Sequence, residues 1–95
     1  MDEEIDWDEI GEIISSNYRV SVLSALADGP STPTQIAETT GKAPPHISRA
    51  LQHLRDQGMV ELLVAEDRKK GRLYGLTDDG REIWRVIQKE GLATT

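Results

Sequence analysis

Apolar side chains recur every three to four positions in five stretches of this chain and at alternate positions in one, which predicts five helices and a hairpin. The pattern is clearest between Ser31 and Gly58. Thr32 can cap a helix that carries Pro33 in its first turn and Gln35 three residues after the cap, so two otherwise unpaired backbone donors gain acceptors. Ile36 and Ala37 supply its inward face, and Gly41 can end it in a left-handed conformation. Pro44 and Pro45 cannot lie inside a helix but can open one, and Ile47, Ala50, Leu51 and Leu54 then form a single apolar stripe as far as Gly58. Two short amphipathic helices joined by a tight turn are the result.

The flanking stretches read as support. Asp6 and Glu9 have capping-box spacing and Ile5 and Ile10 the spacing of a hydrophobic staple, before a helix from Trp7 to about Ser15. Asn17 to Ala27 repeats Val22, Leu23 and Leu26 on one side and stops at Asp28, Gly29 and Pro30, which predicts a core helix. Beyond Gly58 the period changes: Val60, Leu62 and Val64 alternate with Glu61, Leu63 and Ala65, as in a strand. The polar run Glu66 to Arg72 separates this strand from a second β-prone run, Leu73 to Leu76, so a hairpin is predicted. Thr77 caps the last helix, with Asp78 and Asp79 in its first turn, where carboxylates favour the helix dipole. Ile83, Trp84, Val86 and Ile87 cover more than one face of that helix. Trp7, Ile10 and Ile14 near one end, with Ile83, Trp84 and Ile87 near the other, are therefore expected to pack against a symmetric copy, the alternative for the first three being that they cap the core of a single chain.

Ninety-five residues fit one domain with a modest core, leaving any effector to a surface or a subunit interface. The absence of cysteine removes thiolate metal sites, disulfides and cysteine redox chemistry together. The start of the chain is acidic and no run approaches the ~20 apolar residues needed to span a bilayer, so a cytoplasmic protein without a membrane partner is expected. A formal net charge of -6 looks unfavourable for binding nucleic acid, because phosphate attraction dominates such affinity. Its distribution changes that picture. Residues 1–41 carry -8, residues 42–72 carry +3 and residues 73–95 carry -1, so the second helix of the pair and the hairpin form a basic edge on an acidic body.

Opposite the apolar stripe of that second helix lie Pro45, Arg49, Gln52 and Asp56, flanked by His46, Ser48 and His53. Arginine can grip guanine O6 and N7, and glutamine can pair with adenine N6 and N7, in a major groove wide enough for a helix. A polar helix face is ordinarily only solvated, and a run such as Arg68, Lys69, Lys70 and Arg72 is ordinarily only a soluble loop. Their succession along one chain favours contact with DNA instead.

Helix, helix, turn, helix, strand, basic loop, strand, helix is the order of a winged helix-turn-helix, an α+β and mostly α fold with a two- or three-stranded β-wing, here one domain over residues 1–95. IAETTGKAPPHISRALQHLRDQGMVE followed by EDRKKGRLYGLTDDG, within Tyr18 to Gly80, resembles the ArsR/MarR-like winged-helix transcriptional regulators, particularly small archaeal ones. Ile36, Ala37, Gly41 and Ile47, then Ser48 and Arg49 before Leu51, Gly58, and finally Leu76, Thr77 and Gly80 carry the likeness. The resemblance implies a homodimer on near-palindromic double-stranded DNA, with Ser48, Arg49 and Gln52 in the major groove and Lys69 and Lys70 near the backbone or minor groove. Thr34, Lys42, Pro45, His46 and His53, together with Arg68 and Arg72, complete the expected DNA surface. The cysteine-bearing metal motif of the metal-sensing members is absent, so metal sensing is not carried over. The paired prolines before His46 also depart from the family and stiffen the start of the reading helix.

Other chemistry finds less support. His46 and His53 are two helical turns, ~10 Å, apart in rise, too far to share one metal within a chain. Gly71 and Gly75 lack the strand, spacing and following helix of a phosphate-binding fingerprint, and no Ser, His and Asp set has a recognisable arrangement. No enzyme activity and no cofactor are expected. The alternative to DNA readout is a winged-helix protein-interaction module whose acidic end docks a basic partner. RNA binding is weaker still, because no aromatic residue lies in the reading helix.

Overall fold

The computed structural model describes residues 7–65 and 71–91. Five helices and two strands follow in the order α1 (Trp7–Ile14), α2 (Asn17–Ala27), α3 (Pro33–Thr40), α4 (Pro44–Asp56), β1 (Val60–Leu62), β2 (Tyr74–Leu76) and α5 (Asp78–Lys89). The anticipated bounds of α2 coincide with the observed ones, while α1 stops one residue early. Asp6 and Ile5, invoked for the cap and staple of α1, lie outside the described residues, as does the wing tip 66–70.

α2 is the central post, touching α1, α3, α4, α5 and β2. Val22 and Leu23 are completely enclosed, and Ile36, Ile47, Leu54 and Ile87 reach them from the surrounding helices. Each such aliphatic side chain contributes about 1.5–3 kcal/mol relative to leaving it in water. The core therefore fixes the α3–α4 pair from behind and leaves its outer side unused.

Local chemistry sets the angle of that pair. Thr32 accepts from the Gln35 amide at 3.2 Å while the Gln35 side chain accepts from the Thr32 amide at 2.9 Å, the reciprocal cap read from the sequence. Gly41 takes a φ of 72°, and its amide donates to Ala37 O at 2.8 Å, so α3 ends and the chain reverses. At the far end of α4, Thr77 joins two elements. Its hydroxyl donates to Gly58 O at 2.7 Å and accepts from the Gly80 amide at 3.0 Å, and its own amide donates to Met59 O at 3.0 Å. The start of α5 is thereby pinned to the exit of α4, with Gly80 pressed against the Met59 carbonyl so closely that a β-carbon would have no room.

β1 and β2 pair antiparallel, Val60 opposite Leu76 and Leu62 opposite Tyr74. Ser31 adds a third piece: its amide donates to Tyr74 O and its carbonyl accepts from the Tyr74 amide, both at 3.0 Å. The expected strand through Val64 ends earlier, at Leu62. Leu63 turns over Gly75 instead, its amide donating to Leu73 O at 2.7 Å.

The terminal helices alter one expectation. Ile10 and Ile87 are buried in this chain's own core and Trp84 shows only 8% of its surface, because α1 and α5 both close against α2. These three side chains complete a single copy. Trp7, 53% exposed, and the partly buried Ile14 and Ile83 retain apolar surface.

Candidate nucleic-acid interface

With its apolar stripe anchored, α4 turns Pro45, His46, Ser48, Arg49, Gln52 and Asp56 to solvent. Gln52 Nε2 donates to Asp56 Oδ1 at 2.9 Å, which orients the amide along the helix and leaves its second N–H and its Oε1 for a base. His53 sits lower on the flank. Its Nε2 is enclosed, has no hydrogen-bond partner and lies 3.9 Å from Glu12 Oε1 of α1, so it faces the body of the protein more than the open side.

The first turn of α4 is poor in spare backbone donors. Ala43 gives no side-chain cap, Pro44 and Pro45 have no N–H, and the His46 and Ile47 amides both turn back to Ala43 O, at 3.0 and 3.2 Å. Any grip on an anion beside this helix must come from side chains or from another element. Thr34 is exposed in the first turn of α3, and Lys42 is half-buried in the turn before α4.

One contact beside the expected DNA surface is not announced by the sequence. The Tyr18 ring, at the start of α2, stacks on His46 of α4 with centroids 4.6 Å apart and planes at 16°, and Lys42 Nζ lies 5.6 Å from the centre of the same ring. This stack fixes two of the expected DNA-facing side chains. Tyr18 stands four residues before the buried Val22 but stays 37% exposed at the start of α2, so its partner on α4 was not foreseeable from the period of the helix.

Charge pairing divides the described cations. Arg81 and Arg85 on α5 meet Asp78 and Glu82 at 3.3 and 2.9 Å. Lys42 and Arg49 have no carboxylate within reach among the described residues, although acids outnumber bases in the chain by 17 to 11. Arg72 is half-buried at the foot of the wing, whereas Arg68, Lys69 and Lys70 lie outside the described residues.

Among the described residues no helix is long and apolar enough to cross a membrane. No curated protein matches the chain by sequence. Solved structures do match by shape. NMB1585, a MarR family regulator from Neisseria meningitidis, superposes with a TM-score of 0.69 at 25% identity, over 78% of this chain and 53% of its own. The MarR family transcription regulator SP03579 gives 0.71 at 25% identity, over 80% and 51%. A ZitR variant from Lactococcus lactis gives 0.71 at 22% identity, over 80% and 52%. The fold is that of the MarR-family winged-helix regulators, and the chain spans about half the length of these relatives. A family model described as the HVO_A0261 N-terminal domain matches residues 7–90, nearly the whole chain, which belongs to that family.

Proposed function

We propose that this chain is a sequence-specific double-stranded DNA-binding transcriptional regulator that works as a homodimer. In this reading α4 enters the major groove and the basic loop 66–72 lies on the backbone or minor groove. The observation that carries it is the outward face of α4. An acidic protein holds Arg49 exposed and, among the described residues, without a carboxylate partner, beside Ser48 and Gln52 on a helix whose other side is locked into the core. An unpaired guanidinium can form the two parallel bonds that guanine offers. Phosphates supply the counter-charge that the protein withholds.

Residues 1–95 then act as one domain, with α1 and α5 carrying the dimer contacts. The exposed Trp7, with Ile14 and Ile83, forms the apolar part of that contact. Two reading helices about 34 Å apart would address successive turns of one face of DNA. The MarR family regulators of the same fold support this reading.

Selection of fragments bound by the native chain from genomic DNA, repeated at several salt concentrations, tests the proposal. A recurring near-palindromic sequence whose affinity falls steeply with salt is expected. Recovery of fragments without a common sequence, or no binding at low salt, refutes sequence-specific regulation.

A further inference from the structure

Beside α4, between its first two turns and the start of α2, lies a depression of about 380 Å³ bordered by Ser16, Tyr18, Arg19, His46, Arg49 and His53. Resting on the DNA reading above, we infer that this depression is a phosphate-binding site, which holds one backbone phosphodiester of the duplex and makes α2 part of the DNA interface.

Three independent observations converge there. The first is donor supply. Pro44 and Pro45 remove two N–H groups from the first turn of α4, whereas Tyr18, in the first turn of α2 and at the edge of the depression, has an amide without an acceptor among the described residues. The 11-residue α2 adds the positive end of its dipole.

The second is charge. Arg19 spends one N–H, from Nη1, on Glu12 O at 2.6 Å and has no carboxylate partner among the described residues; Arg49 has none either. A guanidinium carries five N–H groups in a planar fork, so Arg19 can hold the Glu12 carbonyl and a phosphate oxygen together. The Glu12 carboxylate itself lies by His53 Nε2, which it draws toward α1, leaving the two arginines as the cations facing the depression.

The third is rigidity. The Tyr18–His46 stack fixes the wall between α2 and α4, so the site is shaped before a ligand arrives and little side-chain freedom is lost on binding. Arg49 borders both the depression and the reading face. A strand flanking the groove that α4 enters therefore passes over Arg19.

The test is the salt dependence of binding to a mixed-sequence duplex of about three helical turns, using native chain, Arg19→Gln and Arg85→Gln. Glutamine can keep the hydrogen bond to Glu12 O without the charge. Arg19→Gln is expected to flatten the slope of log affinity against log salt by about 0.9 per bound copy, and to weaken binding about five- to tenfold near 0.1 M salt. Arg85→Gln should leave the slope unchanged. In the native chain the Arg19 side-chain Nε resonance should shift on adding the duplex, which keeps the site testable should the variant unfold. Inorganic phosphate titrated alone should move the same resonance only at far higher concentration, separating a DNA phosphate from a site for the free ion. Native binding with an unaltered Arg19→Gln slope, or an Arg19 Nε that ignores the duplex, overturns the site while leaving the DNA reading intact. A native chain that binds no duplex overturns both.

Discussion

α4 and α5 are both amphipathic, similar in length and held to the same core, yet their outer faces are finished in opposite ways. α5 has a threonine cap, two carboxylates in its first turn and arginines that meet acids three residues earlier. α4 has no side-chain cap and two prolines, and Arg49 on its outer face is left without an acid among the described residues. By pairing two of its three cations, Arg81 and Arg85 but, among the described residues, not Lys89, α5 has less to offer a polyanion. A helix that leaves its charges open is stabilised less by itself and gains when phosphates or base edges supply the missing partners.

The largest effect expected from this contrast concerns α5 as a structural element. Gly80→Ala forces a β-carbon into the Met59 carbonyl, which is backbone and cannot step aside, so we expect a loss of about 3 kcal/mol or more in denaturant unfolding. Ile47→Ala, on the buried side of α4, should cost about 2–5 kcal/mol in the same assay, which shows that this helix is anchored from behind. Ser48→Ala on its outer side should leave stability within about 0.5 kcal/mol of native. Lys70→Ala should weaken binding to all duplexes alike and reduce the salt slope by about 1, as a phosphate contact does. Smallest on DNA binding, Arg85→Ala removes an exposed i,i+3 pair and should change stability by less than about 1 kcal/mol and DNA binding not at all. A DNA effect at Arg85 equal to that at Arg49 would erase the distinction between the two helices.

How much of this was legible in the chain follows the range of the interactions. Caps and stops are local: Thr32 with Gln35, Gly41, Gly58 and Thr77 each act within a few residues, and the helices they bound appear where the pattern puts them. Contacts between distant segments were not legible. Nothing in the period of α2 announces that Tyr18 will stack on a histidine of α4, or that Ser31 will extend the hairpin through Tyr74. The same limit explains Ile10, Trp84 and Ile87. Their number exceeded what one small core was thought to need, but α2 is central and requires cover from both terminal helices, so they are used within the chain. Of the basic edge, Lys42 and Arg49 stand in described structure, and Arg68, Lys69 and Lys70 stand on sequence alone.

The most direct test compares the native chain and Arg49→Ala on two duplexes, one selected from the genome and one of scrambled sequence, at a single fixed salt concentration. The account predicts that the preference for the selected duplex falls by about 1–3 kcal/mol, roughly five- to 150-fold, while the unfolding midpoint stays put. An unchanged preference would contradict the assignment of α4 as the reading helix.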